Sequence, residues 1–131
     1  MDAVTIAAWI TRGLVAIIFL VMGVSHFRPR VARGMARMIP PRLRFDGALS
    51  PIRLVYITGV CELAGGIGIL LPWTRLVAAL ALAVFLVAVF PANAYAAEHP
   101  DQFGRAATPF WPRYVAQLAL IALVLVAGAL R

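Results

Sequence analysis

The sequence predicts an all-α integral membrane protein, a four-transmembrane-helix bundle with a short interfacial helix in its first loop. Three observations carry that prediction. Of 131 residues, 63% are hydrophobic and only 13% charged, and the mean hydropathy is +0.94, where an ordinary soluble domain is roughly half apolar. A water-soluble body of 14.1 kDa has too much surface for its volume to hide that composition. Four charge-poor stretches, about residues 3–27, 52–71, 76–97 and 110–130, each approach the roughly 20 residues that carry a helix across the hydrocarbon core. Finally, the basic residues, all arginine, gather on one side of those stretches, as cytoplasmic loops do.

The first stretch is broken only by Arg12. Its leading Met1, Asp2 and Ala3 are acidic rather than basic, and it ends in Ser25, His26 and Phe27, so it reads as a retained span and not a cleaved signal. The loop after it is punctuated by Pro29, Pro40, Pro41 and Pro51. Within it Val31, Met35, Met38 and Ile39 fall on one helical face, and Arg30, Arg33 and Arg37 on the other. That is the pattern of a helix lying in the lipid interface. The second stretch carries Glu62 at its middle, and Pro72 opens a tight turn into the third, which holds no charge. Pro100, Pro109 and Pro112 bound the last connection, and the fourth stretch has Arg113 in its first turn. The whole chain, 1–131, reads as one domain.

Arg28, Arg30, Arg33, Arg37, Arg42, Arg44, Arg53, Arg105 and Arg113 would all lie on one face, against Arg75 and Arg131 on the other. Both termini are therefore expected outside the cytoplasm. Arginine-only basicity and an alanine-rich composition point to a bacterial cytoplasmic membrane. The net charge of +7 is then a matter of topology and anionic lipid, not of nucleic acid.

Charges at bilayer depth are costly and seek partners. Counting about 1.5 Å per residue from the cytoplasmic ends places Glu62 about 15 Å deep and Arg12 about 22 Å, so the two are expected to form a buried ion pair. It would be either a structural lock or a proton-handling element. Around them Thr58, Gly59, Glu62, Gly65 and Gly66 share one stripe, and Ala8, Arg12, Ala16, Phe19, Gly23 and His26 another. The glycines permit close helix approach. Asn93, beside the helix-kinking Pro91, and Gln117 fall at the depth of His26. His26, Glu62, Asn93 and Gln117 thus outline a candidate pocket open to the cytoplasm. The competing reading is that these side chains are interhelical hydrogen-bond glue.

Several chemistries are excluded. The lone Cys61 forbids an internal dithiol and a disulfide scaffold. His99 lies in a loop and cannot join His26 as an axial ligand, so no b-type haem is expected. No spacing fits a metal site, a phosphate loop or a nucleophile elbow, and the "GGIG" glycines are packing residues inside a span.

Four segments, "RGLVAIIFLVMGVSHFRP" (Arg12, Gly23, His26), "MIPP", "GVCELAGGIGILLP" (Gly59, Glu62, Pro72) and "FPANAYAA" (Pro91, Asn93), resemble the DoxX family of small four-helix membrane proteins in order and over nearly the whole chain. The resemblance implies a four-helix fold and, for some relatives, service as a membrane subunit of quinone-linked sulfur-compound oxidoreductases or of oxidative-stress complexes. Its matching polar positions are Arg12, His26, Glu62 and Asn93. It supplies no agreed catalytic mechanism, so no catalytic residue is carried over.

Three readings of function follow. The chain is a redox-accessory subunit holding a quinone-like molecule by His26, Asn93 and Gln117, with a soluble or membrane oxidoreductase as partner. Alternatively it is a small oligomeric proton-coupled transporter working through Glu62, or a scaffold whose arginine-rich first loop docks partner proteins.

Overall fold

The computed structural model describes residues 2–103 and 109–130. Arg105 and Arg131, which entered the topology count, lie outside the described residues. The architecture is all-α: α1 (Ala3–Ser25), α2 (Pro29–Met38), two 3₁₀ turns (Pro41–Leu43 and Gly47–Leu49), α3 (Pro51–Gly68), α4 (Arg75–Glu98), the short α5 (Pro100–Phe103) and α6 (Phe110–Ala129). α1, α4 and α6 are long and apolar enough to cross a membrane. α3, at 18 residues with Arg53 and Glu62 aboard, falls outside that set.

Helix boundaries follow local chemistry. Asp2 caps α1 by accepting the Thr5 N–H at 2.7 Å, a contact that holds its carboxyl below the usual carboxylate range. Proline opens α2 and α3 at a position where its missing N–H costs nothing. Pro91 sits inside α4, where it leaves the Val87 carbonyl without its helical donor.

α1 packs on α3 and α6, and α4 packs on α3 and α6, closing a ring of four helices. Its centre is filled by Val15, Phe19, Leu82, Leu86 and Val124. The outward faces are as apolar as the inside: Ile10, Ile17, Val77, Val84 and Val115 are each more than 60% exposed. That inverts the pattern of a soluble bundle and suits helices whose solvent is lipid.

With no hydrophobic drive between helices in lipid, association rests on close packing of small residues. Gly23 faces Gly59 and Leu63. Gly66 lies against Leu20 and the Ala16 carbonyl, Gly65 against Leu82, Gly68 against Ala78, and Gly128 against Ala79. The Gly128 site leaves no room for a methyl group. We expect Gly128→Ala to lower stability in detergent by about 1–3 kcal/mol, as overpacked cores do. Ala79→Gly should restore much of the loss when added to Gly128→Ala, and thermal unfolding of the two variants checks both expectations.

Candidate binding cavity beneath α2

The register of α1 against α3 decides which polar groups meet. It brings Gly23 beside Gly59 and Ala16 beside Gly66. His26, just past the end of α1, packs its Cβ against Gly59, one turn from Glu62 along α3, and the two side chains face each other. His26 Nδ1 is 3.1 Å from Glu62 Oε2 and 2.6 Å from the Met22 carbonyl. A neutral ring with one hydrogen on Nδ1 donates it to the carbonyl in the last turn of its own helix. Among the described residues Glu62 Oε2 finds no hydrogen-bond partner, although the residue is only 6% exposed. Stacking of Phe27 on Tyr56, with ring centroids 5.7 Å apart, holds this end of the two helices together.

The expected Arg12–Glu62 pair does not form. Antiparallel packing in this register puts Arg12 level with residue 70, about 12 Å along the axis from Glu62. Depth counted separately from each helix end missed this, because helices of unequal length do not share an origin. Arg12 is 1% exposed and spends its guanidinium on the C-terminus of α6, donating to the Ala127 carbonyl at 3.2 Å and to the Leu130 carbonyl. Among the described residues those carbonyls have no helical donor, and they carry the negative end of the helix dipole. Trp9 lies between Arg12 and Arg75, whose guanidinium carbons are 5.2 and 5.6 Å from its ring centroids.

His26, Glu62, Asn93 and Gln117 all line one cavity of about 910 Å³. α1 and α3 supply the His26–Glu62 wall, and α4 and α6 the facing wall. There the Arg113 guanidinium donates to Asn93 Oδ1 at 3.1 Å, and Gln117 Nε2 donates to the Leu86 carbonyl at 2.8 Å. Pocket lining and interhelical hydrogen bonding are thus served by the same side chains. Val31, Met35 and Met38 of α2 roof the cavity, and Met22 and Phe85 add to its apolar lining. Methionine suits a wall that must adapt to its contents. No group of three or more His, Cys, Asp or Glu among the described residues could hold a metal.

Sequence reasoning missed the His26–Glu62 meeting and the part played by Arg113. The first was signalled by the glycine stripes, which set the register, and the second by the four-residue spacing from Arg113 to Gln117.

Two outcomes follow. Arg12→Gln should lower thermal stability by about 2–3 kcal/mol, the scale of charge-assisted hydrogen bonds, while leaving the His26 ring resonances unchanged because the two sites are a helix turn or more apart. Gly59→Ala should instead perturb the cavity, since a new Cβ would stand 2.8 Å from the His26 Cβ. Histidine NMR shifts and ligand titration of the two variants separate these effects.

Residues 15–130 match a family model described as a domain of unknown function, DUF8561. No curated protein and no solved structure matches the chain. A family model that takes in α1 from Val15 onward and every later helix places the chain by more than its hydrophobicity, and the protein belongs to the DUF8561 family.

Proposed function

We propose that this protein is a DoxX-like four-span protein of the bacterial cytoplasmic membrane, with α3 as the fourth span and both termini outside the cytoplasm. In this reading it holds a small amphipathic molecule of quinone type beneath α2. It acts as a redox-accessory subunit beside an oxidoreductase, without chemistry of its own. One observation carries the ligand reading: a buried carboxyl oxygen with no hydrogen bond among the described residues, Glu62 Oε2, on the wall of a cavity of about 910 Å³. Buried polar groups are nearly always satisfied, so such an atom calls for a donor from outside the chain. A hydroquinone hydroxyl supplies one. A ring oxygen on the opposite side would then meet the amide N–H groups of Asn93 and Gln117, while the ring and tail lie among Met22, Met35, Met38 and Phe85. The DoxX resemblance adds an analogy to the same effect.

Proton-coupled transport is the second reading. With Arg12 engaged on α6, no guanidinium among the described residues pairs with Glu62, and a carboxyl beside a histidine can carry a proton. Four helices are too few to enclose a pathway alone, so this reading requires an oligomer.

Mass spectrometry of lipids and quinones that co-purify from native membranes in mild detergent, followed by titration with a short-chain hydroquinone, tests the first reading. Saturable binding that weakens about tenfold in Glu62→Leu, the loss of one hydrogen bond to a charged group, is expected, with a further loss in His26→Ala. Absence of both co-purifying quinone and saturable binding would sink it. Proton uptake by reconstituted protein that vanishes in Glu62→Gln would favour transport instead.

A further inference from the structure

α2 and the segment after it present an unusual surface. Arg28, Arg30, Arg33, Arg37, Arg42 and Arg53 are exposed, and among the described residues none of them has a hydrogen bond or an ion pair with any carboxylate. Arg30, Arg33 and Arg37 form one exposed stripe at spacings of three and four on α2, whose Ala32 is buried, and Arg37 also borders the cavity. Interleaved with the arginines, Phe27, Leu43, Phe45 and Leu49 are 36–52% exposed. Arg44 is the exception: it donates to the Ile39 carbonyl at 2.8 Å and the Arg37 carbonyl at 3.0 Å, folding the following segment back onto the end of α2.

Unpaired arginines alternating with large exposed apolar side chains match one kind of surface: anionic headgroups above acyl chains. An acidic protein would satisfy the charges but not Phe45 and Leu49. Chain connectivity points the same way, because the segment begins at the end of α1 and ends at the start of α3, both at the membrane face in the four-span arrangement. We propose that phosphates of anionic phospholipids bind the Arg30, Arg33 and Arg37 stripe and hold α2 down, so that lipid charge controls the roof of the cavity. A ten-residue helix is marginal by itself in water, and its order depends on what it lies against. This inference rests on the membrane placement proposed above and not on the identity of the ligand.

The test is amide hydrogen exchange of the full chain in nanodiscs of phosphatidylcholine alone or with phosphatidylglycerol, without added ligand. In anionic discs α2 should exchange roughly 10- to 100-fold more slowly, as expected for about three arginines at a charged surface. High salt should erase the difference. Lysine at the three positions should keep it, whereas the triple variant Arg30→Gln, Arg33→Gln, Arg37→Gln should lose it. Inorganic phosphate added to neutral discs should not reproduce it, which separates a headgroup in the bilayer from a free anion. Continued protection of α1, α4 and α6 shows that each variant is folded and inserted, so loss of their protection would count against the membrane placement itself. Equal α2 exchange in the two lipids, or an effect that survives the glutamine substitutions, would overturn the proposal. So would protection of α2 that appears only when membrane proteins are supplied, since the partner would then be a protein.

Discussion

The close approach of α1 and α3 at Gly23, Gly59 and Gly66 is the constraint on which the rest of the structure depends. Helices in an apolar solvent gain little by hiding apolar surface from it, so what distinguishes one docking from another is how near the backbones can come. Here a missing side chain at three positions sets one register, and that register places every polar group. A shift of one turn would carry His26 away from Glu62 and Arg12 away from the C-terminus of α6.

Two buried charged side chains meet their desolvation cost in opposite ways. Arg12 finds backbone acceptors that were unsatisfied already, so the guanidinium and the end of α6 stabilise each other. Nothing in that arrangement needs a partner from outside, and it ties the first long helix to the last. Among the described residues the ionisable group in contact with Glu62 is His26, and the hydrogen on that ring's Nδ1 is taken by the Met22 carbonyl. One site is therefore complete within the chain, whereas the other is open toward a cavity. That contrast, more than the presence of charge inside a hydrophobic bundle, distinguishes the two sites.

α2 joins the cavity to the surface. Its apolar side lines the space above Glu62 together with Arg37, while Arg30 and Arg33 are exposed and take no part in the lining. The methionines on the inner face let the roof adjust without a precise fit. The cavity roof and the arginine-bearing surface thus share one ten-residue helix, whereas the ring of four helices is held by glycine contacts.

The composition, the four charge-poor stretches and the proline punctuation were sufficient to place α1, α3, α4 and α6 to within three residues at each end and to put a short helix in the first loop, because helix length and amphipathicity are local properties of the chain. The cavity set of His26, Glu62, Asn93 and Gln117 was also legible, since each is a polar side chain on an otherwise apolar face. Which of them would touch was not. The partner of Glu62 depends on how far α3 slides along α1, and the partner of Arg12 on where α6 ends. Both are relations between segments far apart in sequence, set by glycine contacts whose strength comes from the missing atoms on one helix meeting the backbone or side chains of another. Side-chain type and spacing determine which residues must be buried; only the tertiary register decides whether a buried charge is satisfied within the chain or left open to a ligand.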